Sequence, residues 1–95
     1  MAAYCIANIE VTDAALYEDY RKGVAATIAA HGGRFLARGG AAESLEGPYP
    51  VRRVVILEFP TMVALKTWYA SPEYAPLLAL RQRASRGDLF VVEGV

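Results

Sequence analysis

A ten-residue stretch combines the residue types that acid–base and anion-binding chemistry use. Residues 31–40 read His-Gly-Gly-Arg-Phe-Leu-Ala-Arg-Gly-Gly and include the only histidine of the chain. A histidine titrates near neutral pH and can act as a general acid or base, whereas an arginine can hold an oxyanion. His31 and Arg38 are therefore the candidate catalytic residues. The structural alternative for His31 is a cap on the last carbonyl groups of a helix.

Two further charges stand among apolar residues. Glu58 lies in a strand-like run at residues 52–59, and Arg81 ends an apolar helical face. Glu58 either forms a salt bridge with Arg38 across a hairpin or lines a binding site. Arg81 either extends to solvent or holds an anionic group.

Aromatic side chains are candidates for the walls of a crevice beside these charges. We treat Tyr20, Trp68 and Tyr74, together with Glu58 and Arg81, as the candidate substrate-binding residues. An aromatic crevice that also holds arginines suits a small, planar, partly anionic organic molecule. Aromatic residues at helical spacing also pack in protein cores, and that alternative stays open.

The sequence lacks the patterns that hold common cofactors. It has one histidine, one cysteine, no glycine loop for phosphates and no serine at a nucleophile elbow. We therefore expect no metal, haem or flavin. Cys5 lies in an apolar run, where it is either a small buried side chain or a reactive thiol. A lone cysteine forms no internal disulfide and fits a reducing cytosol.

Composition and charge exclude several functional classes. Because 55% of the 95 residues are apolar and 21% are charged, we expect residues 1–95 to form a single folded domain. Ten basic and ten acidic residues cancel, so nucleic-acid binding is not expected. No apolar run is long enough to cross a membrane, and no signal peptide precedes the first strand. These patterns predict a cytoplasmic protein without membrane association.

Apolar periodicity, together with capping and breaking residues, predicts the secondary structure. Asp13 is a suitable N-cap for a long helix, Pro60 ends a strand, and Ser71-Pro72 begins a helix that Gly87-Asp88 ends. In chain order the predicted elements are a strand at 3–11, a helix to residue 30, strands at about 33–43 and 52–59, helices at 61–69 and from 71, and a strand at 89–95.

The order βαββαβ predicts an α+β, ferredoxin-like fold, in which a four-stranded antiparallel sheet has its helices on one face. Within the second strand, strict alternation places Phe35 and Arg38 on opposite faces.

Strands that are apolar on both faces predict a partner. The runs at 4–9, 52–59 and 89–92 do not alternate with polar residues, yet right-handed crossovers place both helical regions on one side of the sheet. Burying each large apolar side chain contributes about 1.5–3 kcal/mol, while a whole domain is stable by about 5–15 kcal/mol. An uncovered face is therefore a serious loss. We expect a homodimer that packs through the sheet face.

Short motifs follow one another along essentially the whole chain. They are 17–20 (Tyr-Glu-Asp-Tyr), 31–34 (His-Gly-Gly-Arg), 38–40 (Arg-Gly-Gly), 46–47 (Glu-Gly), 58–60 (Glu-Phe-Pro), 68–74 (Trp-Tyr-Ala-Ser-Pro-Glu-Tyr), 80–81 (Leu-Arg) and 92–94 (Val-Glu-Gly). In this order they resemble the motifs of a family of small, mostly bacterial proteins, domain of unknown function 1330. The resemblance implies the fold and assembly of the wider dimeric α/β-barrel group, which includes cofactor-free monooxygenases, muconolactone isomerase-like enzymes and haem-degrading proteins.

The resemblance implies no reaction, so two functional hypotheses stand. The first is a cytoplasmic homodimer that binds a small organic molecule in a crevice between helices and sheet. The alternative is a cofactor-independent enzyme, similar to monooxygenases or isomerases, that acts on a small aromatic or carbonyl compound. In that case His31 would exchange protons, and Arg38 or Arg81 would stabilise an oxyanion.

Overall fold

Four strands and three helices make up the fold, which the computed structural model describes over residues 1–95. In chain order the elements are β1 (Ala3–Val11), α1 (Ala14–Ala30), β2 (Arg34–Arg38), β3 (Arg53–Phe59), α2 (Met62–Tyr69), α3 (Ala75–Ala84) and β4 (Ser85–Glu93). The strands form one antiparallel sheet in the order β2-β3-β1-β4. The predicted ferredoxin-like fold is confirmed, with its second helical region divided into α2 and α3.

Side-chain caps fix the starts of two helices. The amide of Leu16 donates to Asp13 Oδ1 over 3.1 Å before α1, and the amide of Ala64 donates to Thr61 Oγ1 over 3.1 Å before α2. After α1, Gly32 has a φ of 78°, a conformation that glycine adopts without steric strain. The predicted positions of both helices are confirmed.

Two strands differ from their predicted ranges. β2 ends at Arg38 rather than near position 43, because Gly39, with a φ of 71°, turns the chain out of the sheet. β4 begins at Ser85, four residues earlier than predicted, so Gly87 lies inside the strand and does not end a helix. A Cβ at Gly87 would collide with the backbone of Asn8 on β1, so glycine permits the close approach of the two strands.

A β-bulge changes which side chains of β2 face the helices. Phe35 pairs with Leu57 and Arg38 pairs with Val55, so β2 contains one extra residue, Leu36, between them. The prediction that Phe35 and Arg38 point to opposite faces is wrong, because the extra residue shifts the later part of the strand by one position. Both side chains lie on the same face as the buried residues of β3.

The inner face of the sheet, defined here as the face that packs against the helices, carries the core. Along β1 the buried positions alternate and include Ala3, Cys5 and Ala7. These small side chains leave room for Trp68 and Tyr74, both almost completely buried. The inner face and the helices together therefore hold the large aromatic residues of the protein.

The opposite, outer face has no helix over it. A patch of apolar side chains crosses three adjacent strands there, and we call it the outer patch. Within it Phe90 is 52% exposed and Val92 is 46% exposed. The outer patch consists of Ile6, Val54, Ile56, Phe90 and Val92. None of the helices combines the length and the apolar character that crossing a membrane requires.

Candidate functional site

A crevice lies between the inner face of the sheet and the helices. It encloses a cavity of about 40 Å³, and 13 of its 17 lining residues are hydrophobic. Tyr17, Tyr20 and Val24 contribute from α1, and Val55 and Leu57 contribute from β3. The small side chains of β1 form part of its floor. The crevice is therefore a gap in an otherwise filled core.

Positive charge is concentrated in this crevice. Four arginines line it, and no aspartate or glutamate does. Among them only Arg21 has a carboxylate within salt-bridge distance, from Glu18 at 3.2 Å. Arg38, Arg53 and Arg81 have none. Three unpaired cations therefore adjoin walls that are mainly apolar.

Arg81 on α3 is only partly exposed. Its Nε atom is buried and has no hydrogen-bond partner. The hydroxyl groups of Tyr20 and Tyr74, which line the same crevice, form a hydrogen bond of 3.0 Å with each other. Burial raises the pKa of both phenols, so both hydroxyls keep their protons at neutral pH. Only one of the two hydroxyl hydrogens is used between them, so the Nε–H of Arg81 and one tyrosine hydrogen are donors without acceptors.

Aromatic rings hold the other two unpaired arginines. The Cζ atom of Arg38 lies 4.2 Å from the ring centroid of Phe35, its neighbour across the bulge. Arg53 Nε donates to Tyr17 Oη over 3.2 Å. A Cβ at Gly39 would collide with the guanidinium group of Arg53, so this glycine also makes room for the arginine. Both cations are thus positioned without a carboxylate.

Trp68 joins the crevice to the core. Its ring centroid is 4.2 Å from that of Tyr74 and 5.3 Å from that of Phe59. Its Nε1 donates to Thr27 Oγ1 over 3.0 Å, and the Thr27 hydroxyl donates to the carbonyl oxygen of Val24 over 2.8 Å. Trp68 has no free polar group, so it can contribute only a wall to the crevice.

Five of the seven predicted site residues come together in the crevice. They are Tyr20, Arg38, Trp68, Tyr74 and Arg81.

His31 lies outside the crevice, at the C-terminal end of α1. Its Nδ1 donates to the carbonyl oxygen of Thr27 over 3.0 Å, and its Nε2 lies 3.4 Å from Glu73 Oε1. The capping interpretation of His31 is confirmed. The expectation that His31 shares a cleft with Arg38 is wrong, because the bonds to Thr27 and Glu73 hold the ring at the helix end.

Glu58 also lies outside the crevice. It is on the outer face, where it accepts a hydrogen bond of 2.7 Å from Arg34 Nε. That bond lowers the pKa of the Glu58 carboxyl group. The predicted salt bridge between Arg38 and Glu58 is wrong, because Glu58 pairs with Arg34 in the register of β2 and β3, and Arg38 pairs with Val55 on the inner side.

Arg53 is a site residue that was not predicted from the sequence. Arg53 lies two positions before Val55 and four before Leu57 on β3, and both of those side chains face the helices. Counting alternate positions from those two residues would have placed Arg53 on the inner face. The neighbouring Arg52 points away from the helices, and its Nη1 atom lies 3.8 Å from Glu10 Oε2.

The remaining reactive groups offer little to a cofactor. No group of three histidine, cysteine, aspartate or glutamate side chains lies together. Cys5 is the only cysteine, and burial raises the pKa of its thiol to about 11, although the charge of Arg81 opposes that rise. A thiol with this pKa is almost entirely protonated at neutral pH and is a weak nucleophile.

The fold and the crevice together define a small ferredoxin-like α+β protein with a cationic crevice between its helices and its sheet. The chain belongs to the family Domain of unknown function (DUF1330), which matches residues 2–95. This match confirms the predicted family. No curated protein matches the chain in sequence.

Solved structures of low sequence identity share the fold. The RPA0582 protein of unknown function from Rhodopseudomonas palustris has a TM-score of 0.76 at 19% identity, over 96% of this chain and 78% of that chain. The methylated RPA0582 protein has a TM-score of 0.77 at 20% identity, over 99% of this chain and 81% of that chain. SnoaB, a cofactor-independent oxygenase from Streptomyces nogalater, has a TM-score of 0.66 at 14% identity, over 99% of this chain and 93% of that chain. These similarities extend to the fold, which by itself fixes no reaction.

Proposed function

We propose that the protein binds a small organic anion in the crevice between its helices and its sheet. The observation that carries this proposal is the set of three arginines, Arg38, Arg53 and Arg81, that line the crevice without any carboxylate. Arginine matches the planar geometry of a carboxylate through parallel hydrogen bonds. An aromatic or aliphatic carboxylate is therefore the ligand class that fits best.

Arg81 carries an unsatisfied donor. Burying a hydrogen-bond donor without an acceptor costs about 1–3 kcal/mol. The Nε–H of Arg81 is buried and has no acceptor within the chain. The protein as a whole is neutral, with ten basic and ten acidic residues, so the unpaired cations in the crevice do not reflect a general excess of positive charge. An anionic ligand would supply the missing acceptor.

The size of the cavity limits the ligand. Pockets for drug-sized molecules measure about 300–1,000 Å³, whereas this cavity is about 40 Å³. Only a small group fits inside without movement of the walls. The rest of the ligand must lie toward the exposed side chain of Arg38.

Benzoate and benzamide test the proposal, because they share one ring and differ in charge. We expect benzoate at a hundred times its dissociation constant to stabilise the folded protein by about 2.7 kcal/mol and to raise the melting temperature. We expect benzamide to produce no comparable shift. Arg81→Gln should remove most of the benzoate shift. Arg83→Gln is the matched control, since Arg83 lies on the same helix, is exposed and does not line the crevice.

Equal shifts with benzoate and benzamide, or equal losses in the two variants, would contradict the proposal. Circular dichroism of both variants shows whether a lost shift reflects a lost fold.

A second candidate function is a cofactor-independent enzyme. The observation that favours it is the Tyr20–Tyr74 hydroxyl pair in the crevice that Arg81 lines, because such donors stabilise negative charge that develops on an oxygen. His31 is outside the crevice, so the substrate itself would have to arrive ionised or lose its proton to water. Hydrogen–deuterium exchange of an enolisable ketone tests this candidate. An exchange rate that Arg81→Gln leaves unchanged would exclude it.

We also propose that the protein forms a homodimer through its outer face. The support is the outer patch, which no helix covers and in which Phe90 and Val92 are exposed. Sedimentation equilibrium should return twice the chain mass of 10.3 kDa. A stable monomer at micromolar concentration would contradict this proposal and leave the crevice unaffected.

A further inference from the structure

We infer that the ligand of the crevice is a dicarboxylate, because unpaired cations stand at two separate ends of the crevice with apolar residues between them. This inference rests on the proposed function and adds a second anionic group to the ligand. The inner end is defined here by Arg81, Tyr20 and Tyr74, and the mouth by Arg38 and Arg53.

The inner end is a cluster of donors. The buried Nε of Arg81 lacks an acceptor, and the Tyr20–Tyr74 pair, which lines the same crevice, retains one free hydroxyl hydrogen. A carboxylate has two oxygens with about four acceptor sites, enough for both donors. No other side chain of the protein meets this need, since no acidic residue lines the crevice.

The mouth holds a second pair of cations. Arg53 is held by Tyr17 and Arg38 by Phe35, so each guanidinium group is positioned by an aromatic ring and keeps its charge uncompensated. Cations that contact aromatic faces still present N–H groups to an anion. Gly39 leaves the space that Arg53 occupies. The mouth is therefore as ready for a carboxylate as the inner end.

The two ends are linked by neighbouring tyrosines of α1. Tyr17, which holds Arg53 at the mouth, and Tyr20, which belongs to the inner end, have ring centroids 5.5 Å apart. A short ligand can therefore reach from one end to the other.

The wall between the ends is apolar and includes Val24, Val55 and Leu57. A short hydrocarbon or aromatic body with a carboxylate at each end matches this pattern of donors and apolar surface.

Calorimetric titration of matched acids tests the inference. Hexanoate and adipate have the same carbon chain and differ in the second carboxylate, as benzoate and terephthalate do. We expect each diacid to bind the wild-type protein about tenfold or more tightly than its monoacid, which corresponds to one added charge-assisted contact. At the mouth, Arg38→Gln should reduce the tenfold advantage of each diacid over its monoacid to about twofold or less.

Arg38 is exposed, so the Arg38→Gln variant is expected to fold. Arg53→Gln is a second test of the mouth, and Arg83→Gln is the control outside the crevice. Arg81→Gln should weaken monoacids and diacids together.

Equal affinities for monoacid and diacid, or an Arg38→Gln variant that weakens both alike, would overturn the dicarboxylate inference and leave the proposed anion site standing. If neither acid binds, the proposed function and the inference are both wrong.

Discussion

The two faces of the sheet carry similar residues and arrange them in opposite ways. On the outer face, arginines are paired: Arg34 lies 2.7 Å from Glu58, and Arg86 lies 2.8 Å from Glu10. On the inner face, the arginines of the crevice other than Arg21 lack carboxylates. Apolar side chains are buried on the inner face, whereas Phe90 and Val92 of the outer patch are exposed.

This contrast indicates two different kinds of partner. An apolar patch whose flanking charges neutralise each other is suited to a second protein surface, because no net charge remains to be desolvated. A crevice with uncompensated cations is suited to an anion that enters it. One sheet therefore separates a surface suited to assembly from a site suited to a ligand.

The largest expected effect concerns the outer patch. Phe90→Asp places a charge within the proposed interface, where desolvating an unpaired carboxylate is unfavourable. We expect this variant to sediment at the chain mass of 10.3 kDa, and the wild type at twice that mass. Leu45→Asp is the control, because Leu45 is 89% exposed and lies outside the outer patch. Identical masses for Phe90→Asp and the wild type would contradict the proposal that the outer patch is a dimer interface.

The next effect concerns the filled part of the inner face. Trp68 is 1% exposed and contacts both Tyr74 and Phe59. Trp68→Ala should lower the free energy of unfolding by about 3–5 kcal/mol, because it leaves a cavity and removes a large buried apolar surface. Urea denaturation measures the loss. Trp68→Phe should lose clearly less, and equal losses for the two variants would contradict the packing argument.

Cys5, which lines the crevice, tests whether the inner face is closed to reagents. Because burial raises the pKa of its thiol to about 11, few thiolate ions form at pH 8. We expect its reaction with Ellman's reagent at pH 8 to be roughly a hundredfold slower in the folded protein than in urea. A rate near that of the unfolded chain would mean that the inner face is open to reagents.

The smallest expected effect concerns the paired charges of the outer face. The hydrogen bond from Arg34 lowers the pKa of Glu58 in the folded protein, whereas the unfolded carboxyl group titrates at about 4.3. Its contribution to stability is therefore present above that unfolded value and is lost as the pH falls through the lower, folded value. Wild type and Glu58→Gln should differ slightly in stability at pH 7 and converge at strongly acidic pH. A difference that grows toward acid pH would contradict this pairing.

Local signals predicted most of the fold. Asp13 marked the start of α1, Pro60 marked the end of β3, and the order of the elements with right-handed crossovers predicted a four-stranded antiparallel sheet with its helices on one face. Each of these depends on residues close in sequence or on a general rule of chain connection.

The errors concern contacts between distant residues. Gly87 looked like a helix breaker, but it is required by the close approach of β1 at Asn8, which the local sequence does not reveal. A salt bridge between Arg38 and Glu58 was predicted because each is a charge in an otherwise apolar strand, but the register of β2 and β3 pairs Glu58 with Arg34, and a bulge turns Arg38 to the inner face. Arg81 was recognised as a candidate, yet its lack of a partner could be seen only in three dimensions.

The bulge at Leu36 adds one residue to β2 between Phe35 and Arg38. Deleting Leu36 would leave Arg38 two positions after Phe35 and still opposite Val55, so both side chains would face the crevice from a regular strand. A gap of one residue at this point in a relative is therefore compatible with an arginine at the mouth. Such a relative should keep both the ligand site and the surface proposed for assembly.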